Sequence, residues 1–261
     1  MRGPDPNRRG RSHGGAAAGS ALVLLLALAP GAARAVVGPE LQAEGWRELP
    51  NPNKAENAYA IVGPEGAIEV RSENSVSTLY RPVEVDIRER PVLAWRWRVD
   101  EPAPATDLSV RGEDDCSLAV YVGFPYQPGD ASFFERLKRP LVESVAGEEA
   151  PGRVLRYVFC GRHQRGEVVA SPHLGAAGFM RVLRPTESPT GEWFAEQVDL
   201  AADYREAFGE EPPNPSQIAV QADTDDTRSS SRAYVADLTF LPRGGAGGAE
   251  APVSTGSTST R

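Results

Sequence analysis

Two short runs of carboxylates are the residues of this 261-residue chain best suited by type and spacing to do chemistry: Glu113-Asp114-Asp115 and Asp223-Thr224-Asp225-Asp226. The first lies just before the apolar segment Cys116–Phe124 and the second just after Ile218–Ala222. Both runs therefore belong to loops at strand ends, where β-sandwiches place ligands. Adjacent carboxylates repel one another, and a hard cation such as Ca²⁺, which takes roughly six to eight oxygen ligands, would relieve that repulsion. Asp223, Asp225 and Asp226 are the candidate calcium ligands. Their spacing opens like an EF-hand loop, although Arg228 stands where that loop needs glycine and no glutamate closes it. An Asx-turn cluster would serve equally, its carboxylates capping backbone N–H groups and pairing with Arg228 or Arg232. A third chemistry is acid–base work on a glycosidic bond by Asp114 or Asp115 opposite Asp225, which requires the two carboxyls to stand about 5–10 Å apart.

Other enzyme signatures are sparse. The chain holds no G-x-S-x-G elbow, no H-E-x-x-H helix and no cysteine–histidine zinc spacing. Beyond the first 35 residues the histidines are His163 and His173, both expected on surface loops. Trp95 and Trp97 alternate with Arg96 and Arg98, which reads as core rather than as a sugar-stacking platform; Tyr121 and Trp193 are the better platform candidates. Asp237 falls inside the last apolar segment, opposite a face formed by Tyr234, Ala236, Leu238 and Phe240, and is expected to pair with an arginine.

The elements that must position these groups are strands. Leu93–Val99 alternates apolar residues with arginines, and Cys116–Phe124 sets Leu118, Val120, Val122 and Phe124 against Ser117, Ala119, Tyr121 and Gly123. Similar segments run through Tyr59–Val62, Ala67–Arg71, Ser77–Arg81, Val154–Cys160, Phe179–Leu183, Phe194–Val198, Ile218–Ala222 and Ala233–Phe240. About ten short strands separated by Gly, Pro, Asn and Asp turns specify an all-β antiparallel sandwich or barrel. Two helices interrupt them. Asp130 caps the first, Ala131–Arg139, within a long connection that covers a sheet edge or acts as a lid. Asp199 caps the second, Leu200–Phe208, which Gly209 stops. Cys116 opens one strand and Cys160 closes another, so antiparallel pairing brings them together as a disulfide. Cys160 shares its parity with Arg156, however, so a bulge or an edge position is needed for the bridge to form.

The N-terminus sets the compartment. Arg2, Arg8, Arg9 and Arg11 precede the apolar run Ala21–Ala29 and an Ala33-Arg34-Ala35 cleavage site, the pattern of a secretory leader. Residues 1–35 are read as signal peptide, 36–242 as one sandwich domain and 243–261 as a disordered, low-complexity tail. The product is periplasmic or secreted, with no membrane span once the leader is cut. The leader carries five arginines and one aspartate, so its loss takes the net charge from −8 to −12. That acidity excludes nucleic acid and anionic membrane surfaces as partners.

The succession Ser75–Tyr80, Leu93–Val99, Glu113-Asp114-Asp115 ahead of Val120-Tyr121-Val122, Asp223–Thr227 and Tyr234–Phe240 resembles the exported bacterial family known as domain of unknown function 3047. The similarity spans Trp46 to Leu241. It implies a jelly-roll or galactose-binding-like sandwich akin to carbohydrate-binding modules, with both acidic clusters part of the pattern. Glu113 stands where the pattern has glycine, which favours Asp114 and Asp115. The expected function is a non-catalytic domain binding a glycan or another cell-envelope component through Asp114, Asp115, Tyr121, Asp223, Asp225 and Asp226. The alternatives are a carboxylate-based glycoside hydrolase or lyase and a structural, protein-interaction domain of the envelope.

Overall fold

A computed structural model describes residues 37–127 and 150–244. The leader, the expected helix at 131–139 and nearly all of the tail fall outside the described residues. In chain order the elements are α1 (Pro39–Ala43), β1 (Arg47–Pro50), β2 (Ala58–Val62), β3 (Ala67–Glu73), β4 (Val76–Pro82), β5 (Val92–Glu101), β6 (Cys116–Phe124), β7 (Arg153–Phe159), β8 (Val168–Ser171), β9 (Gly175–Arg184), β10 (Phe194–Asp199), α2 (Leu200–Phe208), β11 (Gln217–Asp223) and β12 (Ser230–Leu241).

The strands form two facing sheets, a seven-stranded one ordered β1-β4-β11-β6-β7-β9-β8 and a five-stranded one ordered β10-β5-β12-β3-β2. The chain crosses repeatedly between them, as in jelly-roll sandwiches. The strands described pair antiparallel except β7 with β9, which run parallel. The sandwich is thus antiparallel, as expected, with this one parallel strand pair. The four-residue edge strands β1 and β8 and the short α1 escape the sequence pattern because so few residues carry no readable period.

The core lies between the sheets and is aromatic where β5 faces β7. Trp95 and Trp97 are 2% and 0% exposed. Trp97 packs edge-on against Phe159 at 5.5 Å, and Trp95 lies 5.5 Å from Tyr157. The alternating arginines of β5 face away from this core, which settles the tryptophans as packing residues. Helix α2 closes one end. Asp199 accepts a hydrogen bond from the Ala202 N–H at 3.0 Å, Gly209 terminates the helix at φ 72°, and Tyr204 stacks on Phe124 at 4.7 Å.

Bulges in β6 and β12 interrupt the period-two pattern. Against β11, the register moves from Gln221↔Ala119 to Asp223↔Cys116, so Ser117 and Leu118 together oppose the single residue Ala222. This inverts the parity at the start of β6 and turns Cys116 to the outer face of the sheet, where Cys160 also lies. The Cys116–Cys160 disulfide is formed, with Cα atoms 5.1 Å apart. Beneath it Leu108, Ala119, Val158, Val169, Met180 and Val182 make a second, smaller core. In β12 the register against β5 shifts between Ala236 and Thr239, and Asp237 takes a left-handed conformation at φ 58°. Ala233 and Val235 enter the main core before this bulge, and Leu238 and Phe240 pack against it afterwards. Tyr234 and Ala236 consequently lie on the outer face, not with Leu238 and Phe240 as simple alternation suggests. Asp237 pairs with Arg96, the expected arginine.

Candidate binding cleft

The outer face of the seven-stranded sheet carries a row of cross-strand neighbours: Ala219 on β11, Tyr121 on β6, Arg156 on β7, Met180 on β9 and Val169 on β8. Aligned residues project to the same side. Tyr121, Arg156 and Met180 thus become the floor of a cleft of about 320 Å³, at the lower end of the range for small-ligand sites. Its wall comes from loops at both ends of the sheet. Asp114 arrives from the segment before β6, Asp223, Asp225 and Asp226 from the end of β11 and its turn, Lys54 from the β1–β2 connection and His173 from the β8–β9 turn.

Most of the acidic residues singled out by sequence do converge here. Asp114, Tyr121, Asp223, Asp225 and Asp226 line the cleft, while Glu113 is exposed and does not. Asp115 is fully buried behind this lining. Its carboxylate accepts hydrogen bonds from the N–H groups of Asp226 (3.2 Å) and Thr227 (2.8 Å) and from the Thr227 hydroxyl. It holds the second acidic loop against the first. The Thr224 hydroxyl anchors the same turn through Ser72 at 2.7 Å. The capping is long-range, from Asp115 to a turn 111 to 112 positions along the chain, and not an Asx turn within the acidic run. The turn's basic partner is Lys54, which pairs with Asp225, whereas Arg232 binds Glu69 at 3.0 Å.

Charges in the cleft are unevenly matched. His173 Nε2 lies 2.9 Å from Asp114, whose side chain is 4% exposed. Tyr121 donates its hydroxyl to the Gln221 carbonyl oxygen, and the Gln221 amide donates to Thr78 at 3.0 Å. Burial pushes the Asp223 carboxyl up to about 8; the Arg156 charge opposes this, while Asp115 and Asp225 add to it, the latter also through a hydrogen bond that needs a proton on the pair. Burial, then the charges of Asp225, Asp115 and Asp114, also raise Asp226. At neutral pH the Asp223 carboxyl therefore keeps its proton.

Arg156 is the least satisfied group of the cleft. It is 8% exposed, yet neither Nε nor Nη2 has a hydrogen-bond partner. Nη1 reaches only the Met180 sulfur at 3.6 Å, and the guanidinium lies 5.0 Å from the Tyr121 ring. That contact covers one face of Tyr121, leaving it a floor residue rather than an open stacking platform. Trp193 is likewise flanked, by Arg96 and Arg98 at 5.2 and 5.3 Å. Among the described residues no three acidic, histidine or cysteine side chains are grouped closely enough to hold a metal ion.

Sequence reasoning missed Arg156, Lys54 and His173. His173 does sit on a surface turn, half exposed, but it faces the cleft. His163 is clipped between Asp107 (3.3 Å) and Glu167 (3.0 Å) away from the cleft lining. The available signal for Arg156 was a lone charge on a strand face otherwise bearing Val154 and Val158.

The family model described as "Protein of unknown function (DUF3047)" matches residues 44–239. The chain belongs to this family. Every residue of the cleft in this DUF3047 protein, from Asn51 to Asp226, falls within the matched segment. No curated protein matches the chain. Among solved structures, the DUF3047 chain is similar to the xyloglucanase domain of NopAA, a type three effector from Sinorhizobium fredii, in complex with cellobiose. The identity is 8%, covering 76% of this chain and 94% of that one, at a TM-score of 0.39. It is also similar to the family 11 xylanase from Neocallimastix patriciarum, at 9% identity over 76% and 99% of the two chains and a TM-score of 0.32.

Proposed function

We propose that this DUF3047 domain is an exported, non-catalytic binding module whose cleft takes a segment of glycan in the periplasm or outside the cell. The observation that carries this reading is Arg156, a buried guanidinium with two nitrogens lacking partners at the floor of a cleft walled by carboxylates. A buried charge without hydrogen bonds costs the fold several kcal/mol, on the order of the penalty for breaking a buried ion pair. The fold gains nothing from such a group, whereas a ligand oxygen placed on it satisfies the guanidinium. Sugars suit the whole surface, because each hydroxyl both donates and accepts: it can accept from Arg156 and donate to Asp225 or Asp226.

The test is calorimetric titration with a broad panel of neutral and acidic oligosaccharides, using the wild type and Arg156→Met. Binding by the wild type, lost in a variant that melts no lower, is the expected result. Failure of every panel member to bind overturns the reading.

Asp223 favours one second reading. A carboxylic acid that holds its proton beside Asp225 is equipped to protonate a leaving group. Asp223 and Asp225 are hydrogen-bonded neighbours, too close to flank a glycosidic bond in the manner of the paired carboxylates of glycosidases, which stand about 5–10 Å apart. Asp114 is then the partner to consider. Release of reducing ends from any panel substrate, abolished in Asp223→Asn, would establish this reading in place of the first.

A further inference from the structure

Resting on the glycan reading, we infer that the unit seated at the cleft floor is an acidic sugar, a uronate whose carboxylate docks on Arg156 beside Asp223. Arg156 presents N–H donors only, and two of its three nitrogens have no acceptor. A planar guanidinium matches a carboxylate in bidentate fashion, a stronger match than it makes with single hydroxyls. Beside it stands Asp223, mostly buried, with Oδ1 accepting from no donor group. An ionised Asp223 would offset the Arg156 charge and repel anions. Instead burial, assisted by Asp115 and Asp225, keeps it a neutral acid that sets no second charge against an incoming anion.

The remaining wall does not repel an anion as strongly as its composition suggests. Asp225 is paired with Lys54, Asp114 is paired with His173, Asp115 is occupied by the backbone N–H groups of the turn, and the Asp226 carboxyl is raised by burial and by its acidic neighbours. The groups that face Asp223 are thus Arg156 from β7, Tyr121 from β6, Asp115 from the segment preceding β6, and Asp225 with its lysine. Asp114 is near enough to the floor for its charge to be felt at Tyr121. Of these, Asp223 is the group raised to the neutral range, about 8.

Below pH 8 Asp223 is neutral and does not oppose the ligand's carboxylate; above it, Asp223 ionises and repels. Affinity for a uronate should therefore fall as pH rises through about 8, while affinity for a neutral sugar should not.

The experiment compares a galacturonate tetramer with a neutral xylose tetramer by calorimetry at pH 6 and pH 9, in the wild type, Arg156→Lys and Asp223→Asn. The expected result is at least tenfold preference for the uronate at pH 6, a tenfold or greater loss of uronate binding at pH 9, and a tenfold or greater loss in Arg156→Lys, which keeps the charge without the fork. Asp223→Asn is neutral at both pH values, so it should bind the uronate at pH 6 and no longer lose it at pH 9. Wild type and Asp223→Asn both retain Lys54, His173 and Asp114, so the difference between them isolates Asp223. Equal or tighter binding of the neutral tetramer, or uronate affinity that does not fall with pH, overturns the inference while leaving the glycan reading in place. If neither sugar binds and the wider panel is also silent, both fail.

Discussion

At the residue scale the cleft is built from groups the fold would be more stable without. Asp223 has a folded pKa of about 8, above the ordinary 3.8, so between those values the unfolded chain binds fewer protons than the native one and stability falls as pH rises through the window. Asp223→Asn removes the penalty. Thermal unfolding should show the variant melting higher than wild type at pH 8 to 9 and level with it near pH 3, where both states of the wild type are protonated; a variant less stable at pH 9 would contradict the burial argument. Arg156→Met is expected to behave similarly, melting at or above the wild-type temperature because a buried cation is exchanged for an apolar chain of similar length. The aspartates of this site were legible in the sequence because two runs of adjacent carboxylates sit at the ends of readable strands. Lys54 and His173 were not: Lys54 meets Asp225 across 171 positions, and His173 meets Asp114 across 59. Such contacts depend on which loops fold over the same face of the sheet, and no local pattern records that.

At the element scale the alternation of apolar and polar residues located ten of the twelve described strands, Cys116–Phe124 to the residue, and the helix Leu200–Phe208 with both caps. It failed where β-bulges change parity. In β12 the bulge at Asp237 moves the core face from Ala233 and Val235 to Leu238 and Phe240. In β6 the same device turns Cys116 outward to meet Cys160, which the pattern alone flagged as a conflict. The bridge closes a 44-residue separation and on the chain-entropy model contributes about 4 kcal/mol. It also fixes the start of β6, one residue after Asp115. Replacing both cysteines with alanine should lower stability by about 2–4 kcal/mol in urea unfolding, and should weaken ligand binding as well, because Asp115 then holds the Asp226–Thr227 turn less firmly. Loss of stability with undiminished affinity would separate the bridge from the site.

At the scale of the whole molecule, the two sheets divide the work: their facing surfaces form the aromatic core, and the outer surface of the larger sheet is free to carry polar groups. A disulfide between β6 and the end of β7 suits an oxidising compartment, as the leader expects. Cleavage after Ala35 would leave Val36 at the N-terminus, immediately before Val37, which is buried in the core; the intact mass of protein recovered from the periplasm of an expressing cell checks this. Processing would also leave a chain of net charge −12, and that number would oppose the local chemistry of Arg156. An acidic glycan approaching from beyond about 10 Å meets the field of the whole molecule, which repels it; inside the cleft it meets a guanidinium that solvent ions scarcely reach. Raising ionic strength from about 20 to 200 mM shrinks the Debye length from roughly 20 to 7 Å. Stopped-flow measurements with a uronate oligomer should therefore show the association rate rising with salt while the dissociation rate stays nearly constant. An association rate that falls with salt would mean that Lys54 and Arg156 dominate the approach, and that the acidity of the remaining surface is too distant from the cleft to matter.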